Sequence, residues 1–261
     1  MNDDLDILRH NASAWDRFVE LEDPLTKPVT PEEVARARVG DLRVTLTTTK
    51  SVPPEWIGDP TGRRILCLAG GGGQQAPLFA AAGARVTVLD ISPKLIAQDR
   101  LVAEREGLDI AVEPGSMTDL SRFEPESFDL VFHPLSNFNV PDVRVVWREV
   151  GRVLRTGGRL LAGFMNPAFY LFDPRKDDGN TLVLRHALPY ADADLPEDEL
   201  RERIRERRTL EHSHSLEAQI AGQIEAGFVI TGLYEDTLPG HPVSEFLPPC
   251  VATRAEKAGP L

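Results

Sequence analysis

Residues 64–90 constrain the fold more than any other stretch of the chain. An apolar run, residues 65–68, precedes four glycines at positions 70–73 and an alanine-rich segment that ends at Gly83. A second apolar run then stops on an acid, Asp90. Short apolar runs on either side of a helix-length segment predict two parallel strands joined by a helix. We therefore expect a β-α-β unit with a glycine turn.

The glycine turn suits the close approach of a ligand, because residues without a Cβ reach positive φ and leave room beside the backbone. The helix that begins near Gln74 directs unpaired N–H groups to the same point, which suits an anionic group. Asp90 ends the second strand, where an acid accepts hydrogen bonds from ribose hydroxyls. The unit therefore predicts a nucleotide-like ligand. The alternative is a strained turn with Asp90 as a helix cap.

Two classes of ligand fit this unit. Gly71, Gly73 and Ala76 have the GxGxxA spacing, and Asp90 lies about 20 positions further on, as in the dinucleotide fingerprint. The fingerprint alone is a weak signal. The other class is S-adenosylmethionine, and the segments downstream favour it.

Charge and cysteine content limit the partners. The formal net charge of -12 among 261 residues argues against nucleic acid, because phosphates require clustered Lys and Arg. Cys67 and Cys250 have no disulfide or zinc spacing. No apolar run approaches the ~18 residues of a membrane span, and the N-terminus lacks a signal-peptide pattern. We expect a cytoplasmic protein with a small-molecule substrate, no membrane partner and no metal, either monomeric or homodimeric.

Residues 1–60 are predicted to form a helical N-terminal extension of a main domain, residues 61–261. Residues 11–22 carry apolar side chains at helical spacing, and Thr30 followed by Pro31 predicts a helix start. Trp15 is a candidate to close over the ligand. Plain packing of this side chain is the alternative.

Two loops after the β-α-β unit are expected to contact the ligand. Ser92 is predicted to cap the next helix, which puts Ile91 and Ser92 beside the ribose and base. The loop after a third strand, predicted over residues 109–112, holds Ser116, Met117 and Thr118. This loop should border the adenine, with Met117 as an apolar wall.

The fourth strand, predicted over residues 127–133, ends in polar residues. It lies across the topological switch from the first strand, where open α/β sheets bind ligands. His133, Ser136 and Asn137 are therefore expected near the reacting end. The alternative is that Ser136 and Asn137 only organise a turn. The following helix is predicted from residue 140 or 142 to residue 154, with the glycine pair 157–158 as its stop signal, before a strand over residues 159–164.

As an ordered set, these motifs resemble class I S-adenosylmethionine-dependent methyltransferases over roughly residues 56–236. ILCLAGGGGQQ resembles the first glycine motif of the family, VTVLDIS its ribose-binding acid, GSMTDL its adenine loop and SFDLVFHPLSNFNVPD its fourth strand. EAGFVITGLYED resembles the passage before its final antiparallel hairpin, and CLAGGGGQQ, HPLSN and AGFMNP resemble a bacterial subgroup. The resemblance implies an α/β fold with a doubly wound, mostly parallel, seven-stranded Rossmann-like sheet, N-terminal helices and a small cap.

The expected binding site for S-adenosylmethionine gathers residues from the N-terminal helix and four loops: Trp15, Ala69, Gly70, Gly71, Gly73, Gln74, Asp90, Ile91, Ser92, Ser116, Met117, Thr118, His133, Pro134 and Asn137. The chain departs from the common pattern of the family at three positions. Ala69 stands where many members have the first glycine. Cys67 stands where many members have an acid. Ser116 stands where an aspartate usually accepts from the adenine amino group.

Residues 166–215 are expected to form the cap and to decide the methyl acceptor. Within them, EDELRERIRERR pairs Glu197 with Arg201 and Glu199 with Arg203 at i,i+4, which predicts a solvated helix. A basic patch for an acidic substrate is the alternative.

His133, His212 and His214 are the candidate catalytic bases, since an oxygen or amine acceptor must lose a proton. His212 and His214 share a face if the chain is extended. Structural roles are the alternative, and a metal pair would lack a third ligand. The predicted function is methyl transfer to a small molecule. The alternatives are an NAD-dependent oxidoreductase and a cofactor-binding module without catalysis.

Overall fold

The computed structural model describes residues 6–172 and 182–259. Its strands are β1 (Arg64–Leu68), β2 (Arg85–Asp90), β3 (Ile110–Pro114), β4 (Phe128–His133), β5 (Leu154–Met165), β6 (Phe228–Asp236) and β7 (Cys250–Lys257). They form one seven-stranded sheet in the order β3-β2-β1-β4-β5-β7-β6. All neighbours are parallel except β7, which is antiparallel to both β5 and β6. The predicted doubly wound, mostly parallel sheet is confirmed.

The described helices are α1 (Ile7–Glu20), α2 (Pro31–Arg38), α3 (Pro54–Ile57), α4 (Gln75–Ala81), α5 (Pro93–Glu106), α6 (Val143–Val153), α7 (Glu197–Arg205) and α8 (Gly222–Glu225), and a π-helical turn, Glu217–Ala221, leads into α8. Several ends match their sequence signals. Thr30 and Glu33 form a capping box at α2, and the Ser92 side chain caps α5. Gly107 ends α5 in the left-handed conformation, which glycine adopts without steric cost.

The predicted start of the fifth strand, and the role of the glycine pair as a helix stop, were wrong. Helix α6 ends at Val153, before the glycine pair, and β5 begins at Leu154. Leu154 pairs with Phe128, and the register then shifts so that Arg159 lies opposite Leu130. The two glycines therefore form an irregularity inside a strand instead of a helix end, because glycine fits either a bulge or a helix C-terminus.

The N-terminal extension shares a core with the sheet. Val34, Leu46 and Trp56 belong to the same buried cluster as Phe79 and Phe132. A second cluster, on the other side of the sheet, contains the buried α6 side chains Val143, Val146, Trp147, Val150 and Val153. Among residues 6–172 and 182–259, no helix combines the length and apolarity needed to cross a membrane.

Candidate functional site

The glycine turn follows β1 and uses backbone conformations that other residues rarely adopt. Gly72 has φ of 111° and Gly73 of 67°, and even Ala69 has φ of 48°. A Cβ on Gly71 would lie 3.0 Å from the Cβ of Asp90. The turn therefore touches the end of β2, and this closeness requires glycine.

Asp90, at the end of β2, accepts hydrogen bonds from two backbone amides, one in the glycine turn and one just after β2. Its Oδ2 accepts from the Gly71 N–H at 3.0 Å and its Oδ1 from the Ser92 N–H at 2.9 Å. Burial raises the pKa of the Asp90 carboxyl, although these amides act against the rise. Each oxygen retains a second lone pair, which is the acceptor that a ribose hydroxyl needs. Ile91 lies partly exposed beside it.

A second acid at the turn, Asp99 on α5, was missed by the sequence analysis. Its Oδ2 accepts from the Gly72 N–H at 2.9 Å, and the side chain is fully buried. Burial raises the pKa of Asp99 from 3.8 to about 7. A signal was present in the sequence, because Asp99 lies four residues after Leu95 and three before Val102, in the buried stripe of α5.

The two glutamines after the glycines hold the N-terminal extension. Gln74, a predicted cofactor residue, donates through Nε2 to the carbonyl oxygens of Leu25 at 2.9 Å and Lys27 at 3.1 Å. The Gln75 Oε1 accepts from the Thr45 N–H at 3.2 Å. The extension is therefore fastened directly to the start of α4.

Helix α1 joins the loop after β2 to the loop after β4. Asp16 accepts from the Ser92 hydroxyl at 2.7 Å, and Asn11 donates to the carbonyl oxygen of Asn139 at 3.2 Å. Trp15 lies on the same helix and is partly exposed. Its closure over a cofactor stays a prediction.

The loop after β3 is organised mainly by its own side chains. The Ser116 and Thr118 hydroxyl oxygens are 2.7 Å apart, and the Thr118 N–H donates to the Ser116 hydroxyl at 3.2 Å. Met117 is buried in the cluster that contains Leu89 and Leu120. Ser116 and Thr118 remain partly exposed.

His133, at the end of β4, is enclosed by protein. Its Nδ1 lies 2.9 Å from the Leu68 carbonyl oxygen, so Nδ1 carries the proton and Nε2 has a free lone pair. Nε2 is buried without a hydrogen-bond partner in the described part of the chain, and the ring meets Trp147 edge to face. Burial lowers the pKa of His133 to about 4. The side chain is therefore neutral at neutral pH.

The loop after β4 is held in place by hydrogen bonds between two side-chain amides. The Asn137 Nδ2 donates to the Gln219 Oε1 at 3.0 Å, and the Gln219 Nε2 donates back to the Asn137 Oδ1 at 3.4 Å. Both ends of the Asn137 amide are thus hydrogen bonded within the protein, and contact of Asn137 with a cofactor stays a prediction. Pro134 is partly exposed, and a Cβ on Gly70 would lie 3.7 Å from it. Pro134 therefore sits beside the glycine turn.

The structure brings the other two histidines to this loop. His214 Nε2 donates to the Asn137 carbonyl oxygen at 3.0 Å, and the His212 N–H donates to the Phe138 carbonyl oxygen at 2.8 Å. Both rings are largely buried, and burial lowers the pKa of each. In the described residues, no group of three or more His, Cys, Asp or Glu is placed to hold a metal.

The cap contains a buried ionic cluster that the helical spacing did not predict. Glu197 and Arg201 pair at 2.5 Å as expected. Arg203, however, pairs with Asp192 at 3.1 Å and not with Glu199, so that second pairing was wrong. The pairing is a tertiary contact, since Asp192 precedes α7 in a separate turn. Residues 173–181 of the cap fall outside the described residues.

Three comparisons place this geometry among known proteins. Residues 66–162 match the family model described as a methyltransferase domain. An uncharacterized methyltransferase, YbaJ of Bacillus subtilis (strain 168), is 45% identical over 252 residues, which cover 96% of this chain and 98% of that one. A ubiquinone biosynthesis O-methyltransferase of Xanthomonas axonopodis pv. citri (strain 306) is 32% identical over 108 residues, or 41% of this chain and 45% of that one.

Two solved structures share the fold. An S-adenosylmethionine-dependent methyltransferase from Mesorhizobium loti aligns with a TM-score of 0.60 and 21% identity, over 77% of this chain and 94% of that one. The geranyl diphosphate C-methyltransferase of Streptomyces coelicolor A3(2) aligns with a TM-score of 0.55 and 12% identity, over 78% and 76%. Because a methyltransferase aligns with nearly the whole chain at high identity and the sheet has the expected order, the protein belongs to the class I S-adenosylmethionine-dependent methyltransferases.

Proposed function

We propose that the loops at the carboxyl ends of β1, β2 and β3 bind S-adenosylmethionine and that the methyl group passes to a small molecule. The choice of ligand rests on one observation, the hydrogen-bond partners of the backbone amides in the glycine turn. The amides of Gly71 and Gly72 donate to the carboxyl groups of Asp90 and Asp99. They are therefore engaged within the protein.

This arrangement disfavours a dinucleotide. A dinucleotide-binding turn offers its amides to an anionic diphosphate, whereas here two acids, Asp90 and Asp99, already hold them. S-adenosylmethionine has no phosphate group that would need these amides, and its ribose hydroxyls can use the free lone pairs of Asp90. The residues present therefore fit this cofactor better than NAD.

In the proposed complex, Asp90 accepts hydrogen bonds from the ribose hydroxyls. Ile91 and Met117 flank the adenine, and Ser116 takes the hydrogen bond that an aspartate makes in many relatives. Asp16 and Gln74 act indirectly, since they fasten α1 and residues 25–27 to the loops that touch the cofactor.

The bound cofactor supplies an activated methyl group on a sulfonium centre. The protein then has to align the acceptor with that methyl group and exclude water, and such alignment contributes on the order of 7 to 11 kcal/mol at best. The three histidines stay the candidate bases. His133 and His214 each donate to a carbonyl oxygen through one ring nitrogen. If either acts as a base, its other ring nitrogen accepts the proton.

We propose that the cap, residues 166–215, selects the acceptor. Its described part stacks Tyr170 on Tyr190 with ring centroids 5.5 Å apart, and it reaches the loop after β4 through His212 and His214. The net charge of -12 argues against a nucleic-acid acceptor. The O-methyltransferase and C-methyltransferase named above bear names that refer to small molecules. Cys67 and Cys250 are free and buried, which agrees with our assignment to the cytoplasm.

Calorimetry of the full chain with S-adenosylhomocysteine and, separately, with NAD tests the cofactor site. We expect binding of S-adenosylhomocysteine and none of NAD. Binding of NAD alone would refute the proposal. For the acceptor, bacterial metabolite extracts are incubated with methyl-labelled donor and searched for a small molecule whose mass increases by one methyl group. Label that appears only in protein or nucleic acid would contradict a small-molecule acceptor.

A further inference from the structure

Asp99 occupies a position on α5 where an apolar side chain would be expected. It is fully buried, as are Ile96 and Val102 on the same helix. A carboxyl group in such surroundings is unfavourable unless it is hydrogen bonded. Its Oδ2 accepts a hydrogen bond from the Gly72 N–H at 2.9 Å. The acid is therefore directed at the glycine turn.

The same part of α5 shapes the turn sterically. A Cβ on Gly73 would lie 2.9 Å from the Val102 Cγ2 and 3.0 Å from the Gln98 carbonyl oxygen. Asp99 lies between these two contacts in the sequence. The turn thus rests on one surface of α5, formed by Gln98, Asp99 and Val102, with the carboxyl group as its hydrogen-bond acceptor.

Strand β1 offers no such acceptor. The residues of β1 include no acid, and the thiol of its Cys67 is fully buried. Asp99 contributes to raising the pKa of Cys67, as does burial, so the two side chains are electrostatic neighbours. Asp99 supplies from α5 a carboxyl group that β1 lacks.

Only one oxygen of Asp99 is engaged. Oδ1 is buried and has no hydrogen-bond partner within residues 6–172 and 182–259. The titratable groups that act on Asp99 or respond to it are Asp90 of β2 and Cys67 of β1. The engaged oxygen is an acceptor, and an amide side chain of the same shape also provides one.

We propose that Asp99 is a positioning residue of the cofactor site: by accepting a hydrogen bond from the Gly72 amide, it holds the glycine turn in the conformation that binds S-adenosylmethionine. This inference rests on the proposed function. Asp99 acts on the turn through its acceptor oxygen. An asparagine side chain retains this hydrogen bond to the Gly72 amide, and an apolar side chain does not.

The test compares Asp99→Asn with Asp99→Leu, two variants of similar size, by calorimetric titration with S-adenosylhomocysteine. Asp99→Asn should bind within about 3-fold of the wild type, because the acceptor is retained. Asp99→Leu should bind at least about 10-fold more weakly, because the released Gly72 amide is unsatisfied in the bound conformation. Glu104→Ala, an exposed change on the same helix, is the matched control and should bind like the wild type.

The outcomes separate this inference from the proposed function. A purely structural role would lower the binding stoichiometry and the melting temperature of Asp99→Leu but leave its dissociation constant unchanged, and that result would overturn the inference alone. Equal weakening in Asp99→Asn and Asp99→Leu would also overturn it, since charge would then be the cause. If Asp99→Leu does not fold, Asp99→Ala serves in its place. Failure of the wild type to bind would overturn the proposed function itself.

Discussion

The side chain of Asn11 forms two hydrogen bonds with the backbone of Leu210, 199 positions away in the sequence. Its Nδ2 donates to the Leu210 carbonyl oxygen at 3.0 Å, and its Oδ1 accepts from the Leu210 N–H at 2.8 Å. The same Nδ2 also reaches the Asn139 carbonyl oxygen at 3.2 Å. One buried amide therefore ties α1, the cap and the loop after β4 together.

Replacing Asn11 by alanine should destabilise the fold. Leu210 would lose partners for both its N–H and its carbonyl group in the interior, so we expect a loss of about 2 to 4 kcal/mol in the free energy of unfolding. Urea denaturation measures this change. Ser13→Ala, an exposed change on the same helix, should alter the free energy by no more than about 0.5 kcal/mol. Equal stability of the two variants would contradict the role of Asn11.

Asp90→Ala should weaken the binding of S-adenosylhomocysteine. Loss of charge-assisted hydrogen bonds to the ribose is expected to reduce the binding free energy by about 1 to 3 kcal/mol. Calorimetric dissociation constants test this. Asp109→Ala is the control, because Asp109 is exposed just before β3, at the amino end of a strand parallel to β2, whereas Asp90 lies at the carboxyl end of β2. An unchanged constant in Asp90→Ala would count against the ribose assignment.

Gly71→Ala should impair both stability and cofactor binding. The added Cβ would lie 3.0 Å from the Cβ atoms of Asp90 and Leu95, so the end of β2 must move. We expect a loss of about 1 to 3 kcal/mol in the free energy of unfolding, as for other overpacked sites. Gly259→Ala, where the nearest atom is 3.7 Å from the new Cβ, should melt like the wild type. Identical melting of both variants would show that the turn tolerates a side chain.

The stability of the wild type should depend on pH through Asp99. Its folded pKa is about 7, against an ordinary value of 3.8, so the folded protein holds this proton more tightly than the unfolded chain does. Raising the pH through this window therefore removes stability, up to about 4 kcal/mol. Asp99→Asn has no such proton. The stability of the wild type relative to Asp99→Asn should fall between about pH 4 and pH 8, and parallel urea-denaturation profiles would contradict this.

Two arginines of α7 should contribute very differently to the stability of the protein. Arg203 pairs with the fully buried Asp192, whereas the Arg201–Glu197 pair is about three-quarters exposed. Arg203→Met leaves a buried carboxylate without its cation, and we expect a loss of about 3 kcal/mol or more. Arg201→Met should change stability by no more than about 1 kcal/mol. Thermal or urea denaturation measures both changes. A loss in Arg203→Met as small as that expected for Arg201→Met would show that the Asp192 pair contributes little.

Features with a local cause were predicted well. The glycine run and the capping residues Thr30 and Ser92 each act through neighbouring residues, so their roles are visible in sequence order. The glycine pair of β5 was the exception, because the same dipeptide fits a helix end and a strand irregularity. Pairing with β4 decided between them.

Features set by distant contacts were missed or predicted wrongly. No role was predicted for Asp99, and Arg203 was predicted to pair with Glu199 along α7. Each found its partner in another element, Gly72 and Asp192 respectively. For Asn137, the sequence left cofactor contact and turn formation open, and the structure pairs its amide with Gln219.

The sequence by itself determined the β-α-β unit, the order of the loops and the family, because hydrophobic periodicity and turn chemistry act over a few residues. Only the tertiary structure decided which groups are engaged within the protein: the Asp90 and Asp99 carboxyl groups on the glycine amides, the His133 ring against Trp147 and the Asn11 amide on Leu210. The physical reason is burial. A polar group that is removed from water needs a hydrogen-bond partner, and the folded chain can supply that partner from a residue distant in the sequence.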